Sequence, residues 1–222
     1  MKTVRLVLWG LVLVLGAVVA GVTVGRMISG GQTLVADAPL GAALVRAGYE
    51  DAGGPFTMTD TEGRTVTEAD FAGTPRAMFF GFTRCPDVCP TALLEAKSWL
   101  DALGEDADEV AVLFVTVDPE RDTPQVMERY VGAFDERIVG LSPPSEEALE
   151  EIAERYAIRY EKVPLKVGDY TLNHTADTLL FDADGDYAGY IPFTSFAARQ
   201  DAALADEATA DAVAKLKALI PS

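Results

Sequence analysis

Two apolar runs limit what this chain can build. Residues 77–83 read AMFFGFT and residues 110–117 read VAVLFVTV, and neither alternates with polar residues. Strands of that kind are buried on both faces, as in a sheet covered by helices on each side. Between the runs, apolar residues at 93, 94, 99, 100 and 103 give Thr91–Leu103 a helical spacing, and Gly104 ends it. Strand, helix, strand is therefore the expected centre of the fold.

The flanking segments extend that pattern. Phe56–Asp60 and Arg64–Thr67 surround the turn Thr61-Glu62-Gly63 and predict a short N-terminal hairpin. Asp118 to Pro124, reading DPERDTP, breaks the second run; Thr123 can cap a helix whose first residue is Pro124 and which extends to about Phe134. Val139–Leu141 is a short apolar piece, and Pro143-Pro144-Ser145 introduces a helix through about Tyr156. Residues 158–173 read as irregular or hairpin-like. Asp177–Phe181 and Tyr187–Ile191 flank a turn and predict an antiparallel pair, and a last helix is expected over roughly 195–219. The sum is an α/β domain with a mixed sheet flanked by helices.

The N-terminus is of another kind. Lys2 and Arg5 precede an apolar stretch from Leu6 to Gly25, closed by Arg26. As a helix that stretch is ~30 Å long, enough for the hydrocarbon core of a bilayer. It is long for a cleaved signal peptide, so residues 1–28 are expected to be a single transmembrane anchor. The positive-inside rule keeps Lys2 and Arg5 in the cytoplasm. The rest then lies outside a bacterial inner membrane, in the periplasm. The Gly- and Ala-rich residues 29–54 read as a tether, and 55–222 as the folded domain. Formal net charge is −17. Nucleic acid, whose phosphates need clustered Lys and Arg, is excluded as a partner; a basic protein or a cation suits this surface.

Chemistry concentrates in residues 79–90, FFGFTRCPDVCP. Cys85 and Cys89 are the only cysteines, placed after an interior strand and at the entry to a helix. Ligands bind at the carboxyl ends of such strands, and helix N-termini favour thiolates. The pair can be a structural disulfide, a redox couple or two metal thiolates. Dithiolates favour Cu(I) and also suit zinc. A firmly held metal needs a third donor, and the single histidine, His174, lies in a loop able to reach the same end of the sheet. Asp87, between the cysteines, is expected to raise the thiol pKa, attract a cation or help dock a partner. Asp118, Glu120 and Asp122 are expected to be mainly solvated and to cap their loop. Asp182, Asp184 and Asp186 imitate a calcium loop, but Tyr187 and Phe193 occupy its glycine and acidic positions, so a solvated turn is expected.

FFGFTRCPDVCP, the helical TALLEA, VTVDPERDTP and an isolated histidine before a strand together resemble the Sco/SenC family, over roughly residues 50–220. The resemblance implies a membrane-anchored, thioredoxin-like copper protein that assists assembly of the binuclear copper centre of cytochrome c oxidase. It implies Cys85, Cys89 and His174 as ligands of Cu(I) or Cu(II), with Asp87 at the motif's acidic position. Arg84 and Asn173 stand where many members have histidine and aspartate, so both are candidates for tuning the site or docking a partner. The implied activity is copper delivery to the oxidase subunit that accepts it, with an upstream copper donor or thiol reductant as a further partner. The alternative is a thiol–disulfide reductase that keeps the acceptor's cysteines reduced through Cys85 and Cys89.

Overall fold

The computed structural model describes residues 48–166, 168–194 and 200–221. A seven-stranded sheet has the order β2-β1-β5-β4-β3-β8-β9. Its centre is β3 (Arg76–Gly81), β4 (Ala111–Thr116) and β5 (Ile138–Ser142), all parallel. Every residue of β3 is buried, which accounts for the lack of alternation in the first apolar run. The N-terminal hairpin, β1 (Thr57–Asp60) with β2 (Thr65–Thr67), joins antiparallel to β5. On the other side β8 (Thr178–Phe181) runs antiparallel to β3, and β9 (Tyr187–Ile191) antiparallel to β8. The sheet is mixed, as the sequence pattern predicts.

Helix α1 (Val88–Leu103) connects β3 to β4 and ends at Gly104, whose φ of 63° suits a residue without Cβ. It begins three residues before the apolar spacing does. Helix α2 (Pro124–Gly132) starts as expected: the Thr123 hydroxyl accepts from the Val126 amide and Pro124 is its first residue. Ser145 caps α3 (Glu146–Arg155) in the same manner. Helix α4 (Ala202–Lys217) is capped by Asp201 and packs on α1. It is shorter than the predicted 195–219, and 195–199 lie outside the described residues. The aspartate-rich turn stabilises itself, because the Asp182 carboxylate accepts from the Asp184 and Asp186 amides.

Strands β6 (Tyr160–Pro164) and β7 (Tyr170–His174) form a separate two-stranded sheet. The sequence reading of hairpin-like structure is thus sharpened: His174 closes a strand rather than occupying a loop.

The strand directions decide where the functional segments go. Thr178 of β8 pairs with Phe79 of β3, antiparallel. A chain entering β8 must therefore arrive at the carboxyl end of β3, where the cysteine segment leaves. Parallel pairing of Gly81 with Thr116 brings the loop after β4 to that end too, and the Val117 amide donates to the Gly81 carbonyl at 2.7 Å.

The proposed anchor, 1–28, lies outside the described residues; among those, no helix is long and apolar enough to cross a membrane. The end of the proposed tether is packed, not free. Tyr49 is 4 % exposed and Ala52 is buried; the Tyr49 ring packs at a tilt against Tyr187 and Tyr190, and its hydroxyl donates to Asp177 at 3.2 Å. The Tyr156 hydroxyl donates to the Gly54 carbonyl at 2.8 Å. A Gly- and Ala-rich composition hid one aromatic plug. Tyr49→Ala is expected to cost about 3 kcal/mol, the range for a buried aromatic, and Tyr49→Phe only about 1 kcal/mol. Urea unfolding of the two variants beside the parent measures both.

Candidate metal centre

The site is assembled from three directions. The segment after β3 supplies Cys85, whose amide donates to the Phe82 carbonyl. Cys89 follows at the second position of α1, and His174 enters from the end of β7. One donor atom from each lies within 4.8 Å of the other two. Cys89 Sγ is 3.4 Å from His174 Nε2. The Cys89 amide donates to Cys85 Sγ at 3.4 Å, and the Phe82 amide to Cys89 Sγ at 3.5 Å.

Each donor is held differently. Cys89 is 0 % exposed, and its sulfur occupies space made by Gly81. A Cβ at Gly81 would lie 2.7 Å from that sulfur and 2.9 Å from the Phe114 ring. The glycine within FFGF marks this close approach, a signal of the sort an interior-strand glycine gives. His174 is wedged edge-on against Phe79 and Phe82, with centroids 6.0 and 5.8 Å away. Its Nδ1 lies 2.8 Å from the Thr175 carbonyl. A carbonyl only accepts, so Nδ1 donates to it and Nε2 is left facing the sulfurs. The same device orients metal-binding histidines generally.

The two thiols divide one negative charge. The Cys89 thiol donates to Cys85, and His174 and the backbone amides of Cys89 and Asp87 add to it; together they outweigh burial and bring Cys85 down to about 4. Burial, then the neighbouring Cys85 charge, pushes Cys89 well up. Cys85 is half-buried and both cysteines are free thiols. The arrangement is one accessible thiolate backed by a sealed thiol.

The remaining sequence candidates sit at the margin. Asp87 caps α1 in position only, with no side-chain hydrogen bond to the helix. It is exposed, and its backbone amide is one of the donors that lower the Cys85 thiol pKa. Arg84 is exposed and reaches Asp169 at 4.0 Å. Asn173 is exposed beside His174, and both line a groove of about 680 Å³ between α3 and β6–β7. Asp118 and Asp122, expected to be solvated, are both 0 % exposed. Phe79, Phe82, Gly81 and the Thr175 carbonyl are the site residues that sequence reasoning did not single out.

Chemically, two sulfurs and an imidazole form a soft, three-donor set. Metal–sulfur bonds of ~2.3 Å place two ligating sulfurs up to about 4.6 Å apart, so an ion fits with small shifts. Structural zinc takes four protein ligands, and among the described residues this cluster offers three. Low-coordinate Cu(I) matches the donor set better.

The family model SCO1/SenC matches residues 46–209. The SCO1 homolog 1 of Arabidopsis thaliana mitochondria is 36 % identical over 130 residues, covering 58 % of this chain and 39 % of that protein. The SCO2-like protein RP587 of Rickettsia prowazekii is 32 % identical over 144 residues, covering 63 % and 70 %. Among solved structures, copper-bound ScoI of Bradyrhizobium japonicum aligns with TM-score 0.65 and 41 % identity, covering 76 % of this chain and 99 % of that one. BsSco, described as having a disulfide switch and as a member of the Sco family of cytochrome c oxidase assembly proteins, aligns with TM-score 0.53 at 20 % identity, covering 73 % of this chain and 94 % of that one, a likeness of fold. The α/β, thioredoxin-like architecture with flanking helices agrees with these structures.

Two measurements check this geometry. Iodoacetamide, limiting and brief, is expected to label Cys85 and spare Cys89; the labelling rate should hold from neutral pH downward and fall only as pH approaches about 4, where the Cys85 thiolate takes up a proton. Peptide mass mapping reads the site. Gly81→Ala is expected to destabilise the domain by about 1–3 kcal/mol and to displace the Cys89 sulfur, visible as faster labelling of Cys89.

Proposed function

The chain belongs to the SCO1/SenC family, and on that premise we propose that it is a copper metallochaperone serving cytochrome c oxidase assembly. Cys85, Cys89 and His174 hold one copper ion. The observation that carries the reading is the convergence of these three donors within 4.8 Å from separate segments. Relatives at 41 % identity include a copper-bound structure, and the soft donor set fits that metal. Some of these relatives are much longer than the match, 39 % of the Arabidopsis protein being covered, so delivery and its partner belong to the proposal.

Delivery proceeds by ligand exchange. The exposed side of Cys85 lets an incoming ligand reach the ion, while Cys89, sealed under β3, leaves last. Cu(I) is the form that the dithiolate favours; Cu(II) needs a further donor such as water. The acceptor is the copper-binding subunit of the oxidase, and the charge of −17 suits a basic face on it. Residues 1–28, as a membrane anchor facing the periplasm, keep donor and acceptor in one plane and raise their effective concentration. Arg84, Asp87 and Asn173 rim the site and are assigned to docking.

A second reading rests on the pairing of an accessible thiolate with a buried thiol. Cys85 can attack an acceptor disulfide, and Cys89 can resolve the mixed disulfide, leaving two acceptor thiols and a Cys85–Cys89 bridge. Neither step requires His174. The His174→Ala variant separates the two. The chaperone reading expects it to lose most bound copper and copper transfer to an apo acceptor domain; the reductase reading expects it to keep reducing a disulfide-bonded acceptor. Equal copper retention by His174→Ala and the parent would reject the three-donor site.

A further inference from the structure

His174 stands on a hairpin that the main sheet does not hold. Strands β6 and β7 pair only with each other, and the seven-stranded sheet does not include them. A lone two-stranded hairpin is at best marginally stable. Its placement must therefore come from side chains, and the loop after β4 supplies the polar ones.

The fully buried Asp118 accepts from the Tyr170 hydroxyl at 2.8 Å and pairs with Arg121 at 2.5 Å. Arg121 donates to the Tyr170 carbonyl at 2.9 Å and to Asp169 at 3.0 Å. Its guanidinium lies 3.6 Å from the centroid of the Tyr170 ring. Tyr170 is thus gripped at its backbone, its ring and its hydroxyl. It begins β7, and His174 ends it. Residues 170, 172 and 174 share one face of that strand, and Leu172 between them is buried. Fixing Tyr170 fixes the register and tilt of the strand on which the imidazole rides.

The same loop holds the sulfur side. Asp122, fully buried, accepts from the Thr83 amide at 3.0 Å, the Thr83 hydroxyl at 2.5 Å and the Thr116 hydroxyl at 2.6 Å. Thr83 lies two residues before Cys85. Five residues, 118–122, therefore tie both the cysteine segment and the histidine hairpin to the end of β4.

We propose that Tyr170, clamped by Asp118 and Arg121, is a positioning residue for His174, and that the β4–α2 loop sets the distance between the imidazole and the two sulfurs. This rests on copper being held by Cys85, Cys89 and His174. It does not depend on whether the copper is delivered or the thiols act as a reductant. Partners that orient metal ligands are commonly worth about tenfold to a hundredfold in affinity, and the lower end is expected here because the ligand itself remains.

The test is a double-mutant cycle on Cu(I) affinity, measured by competition with a colorimetric Cu(I) chelator. Tyr170→Phe keeps the ring and removes the bond to Asp118; it is expected to weaken binding about tenfold. His174→Ala is expected to weaken it more. The double variant should bind no more weakly than His174→Ala alone, because Tyr170 acts only through the imidazole. A general loss of packing would instead add its own factor to the double variant. Arg121→Lys, which keeps the charge and loses the fork, gives a second cycle if Tyr170→Phe does not fold. Amide exchange at Leu172–His174 in the metal-free protein should quicken in both single clamp variants.

Wild-type affinity in folded Tyr170→Phe and Arg121→Lys overturns the proposal, as does full additivity with His174→Ala. Undiminished affinity in His174→Ala itself would reject the three-donor site and this inference with it. A weakened His174→Ala beside unaffected clamp variants would reject the clamp alone.

Discussion

The structure depends on the contact between the end of β3 and the first turn of α1. Gly81 has no side chain, and the Cys89 sulfur fills the vacated space beneath the Phe82 amide. That one contact joins strand to helix, buries a thiol completely and leaves Cys85 partly open four residues before it. The asymmetry between the two sulfurs follows. An ion held by them has one exit side, and a thiol exchange has one attacking sulfur. Both functional readings draw on this arrangement, so the sulfur pair alone does not separate them; only the copper reading requires the imidazole.

Sheet topology supplies the rest of the site. Parallel β3 and β4 send their outgoing loops to the same end, and antiparallel β8 requires its incoming chain to arrive there. Three stretches far apart in sequence are thereby brought to one rim, the position at which α/β sheets generally bind ligands. The buried carboxylates of Asp118 and Asp122 would be costly if unpaired. Here each accepts at least two hydrogen bonds or ion pairs, so the loop is rigid enough to serve as a mount.

Surface charge has a separate role. The domain is strongly acidic, yet the immediate rim carries Arg84 beside Asp87 and Asn173. In the proposed copper transfer, long-range attraction would guide a basic acceptor face, and local pairs would align it. Exposed pairs such as Arg84–Asp169 at 4.0 Å contribute little to stability, which leaves those groups available to a partner.

Much of the fold was legible in the sequence by itself. Uninterrupted apolar runs determined β3 and β4, because strands buried on both faces have no reason to alternate. Thr123-Pro124 and Ser145 marked helix starts through local capping chemistry, and Cys85 and Cys89 followed at once from their place after an interior strand. Other features were decided only in three dimensions. The meeting of Cys89 with His174 spans 85 residues, and no local period reports such a distance. Tyr49 resembled a tether residue until its ring found Tyr187 and Tyr190. Asp118 and Asp122 resembled solvated loop carboxylates because charge in a sequence suggests water, whereas their hydrogen-bond partners, Tyr170 and Thr83, lie 52 and 39 residues away. Short-range sterics and capping are written residue by residue; the partners that make a buried charge tolerable exist only once the chain has closed on itself.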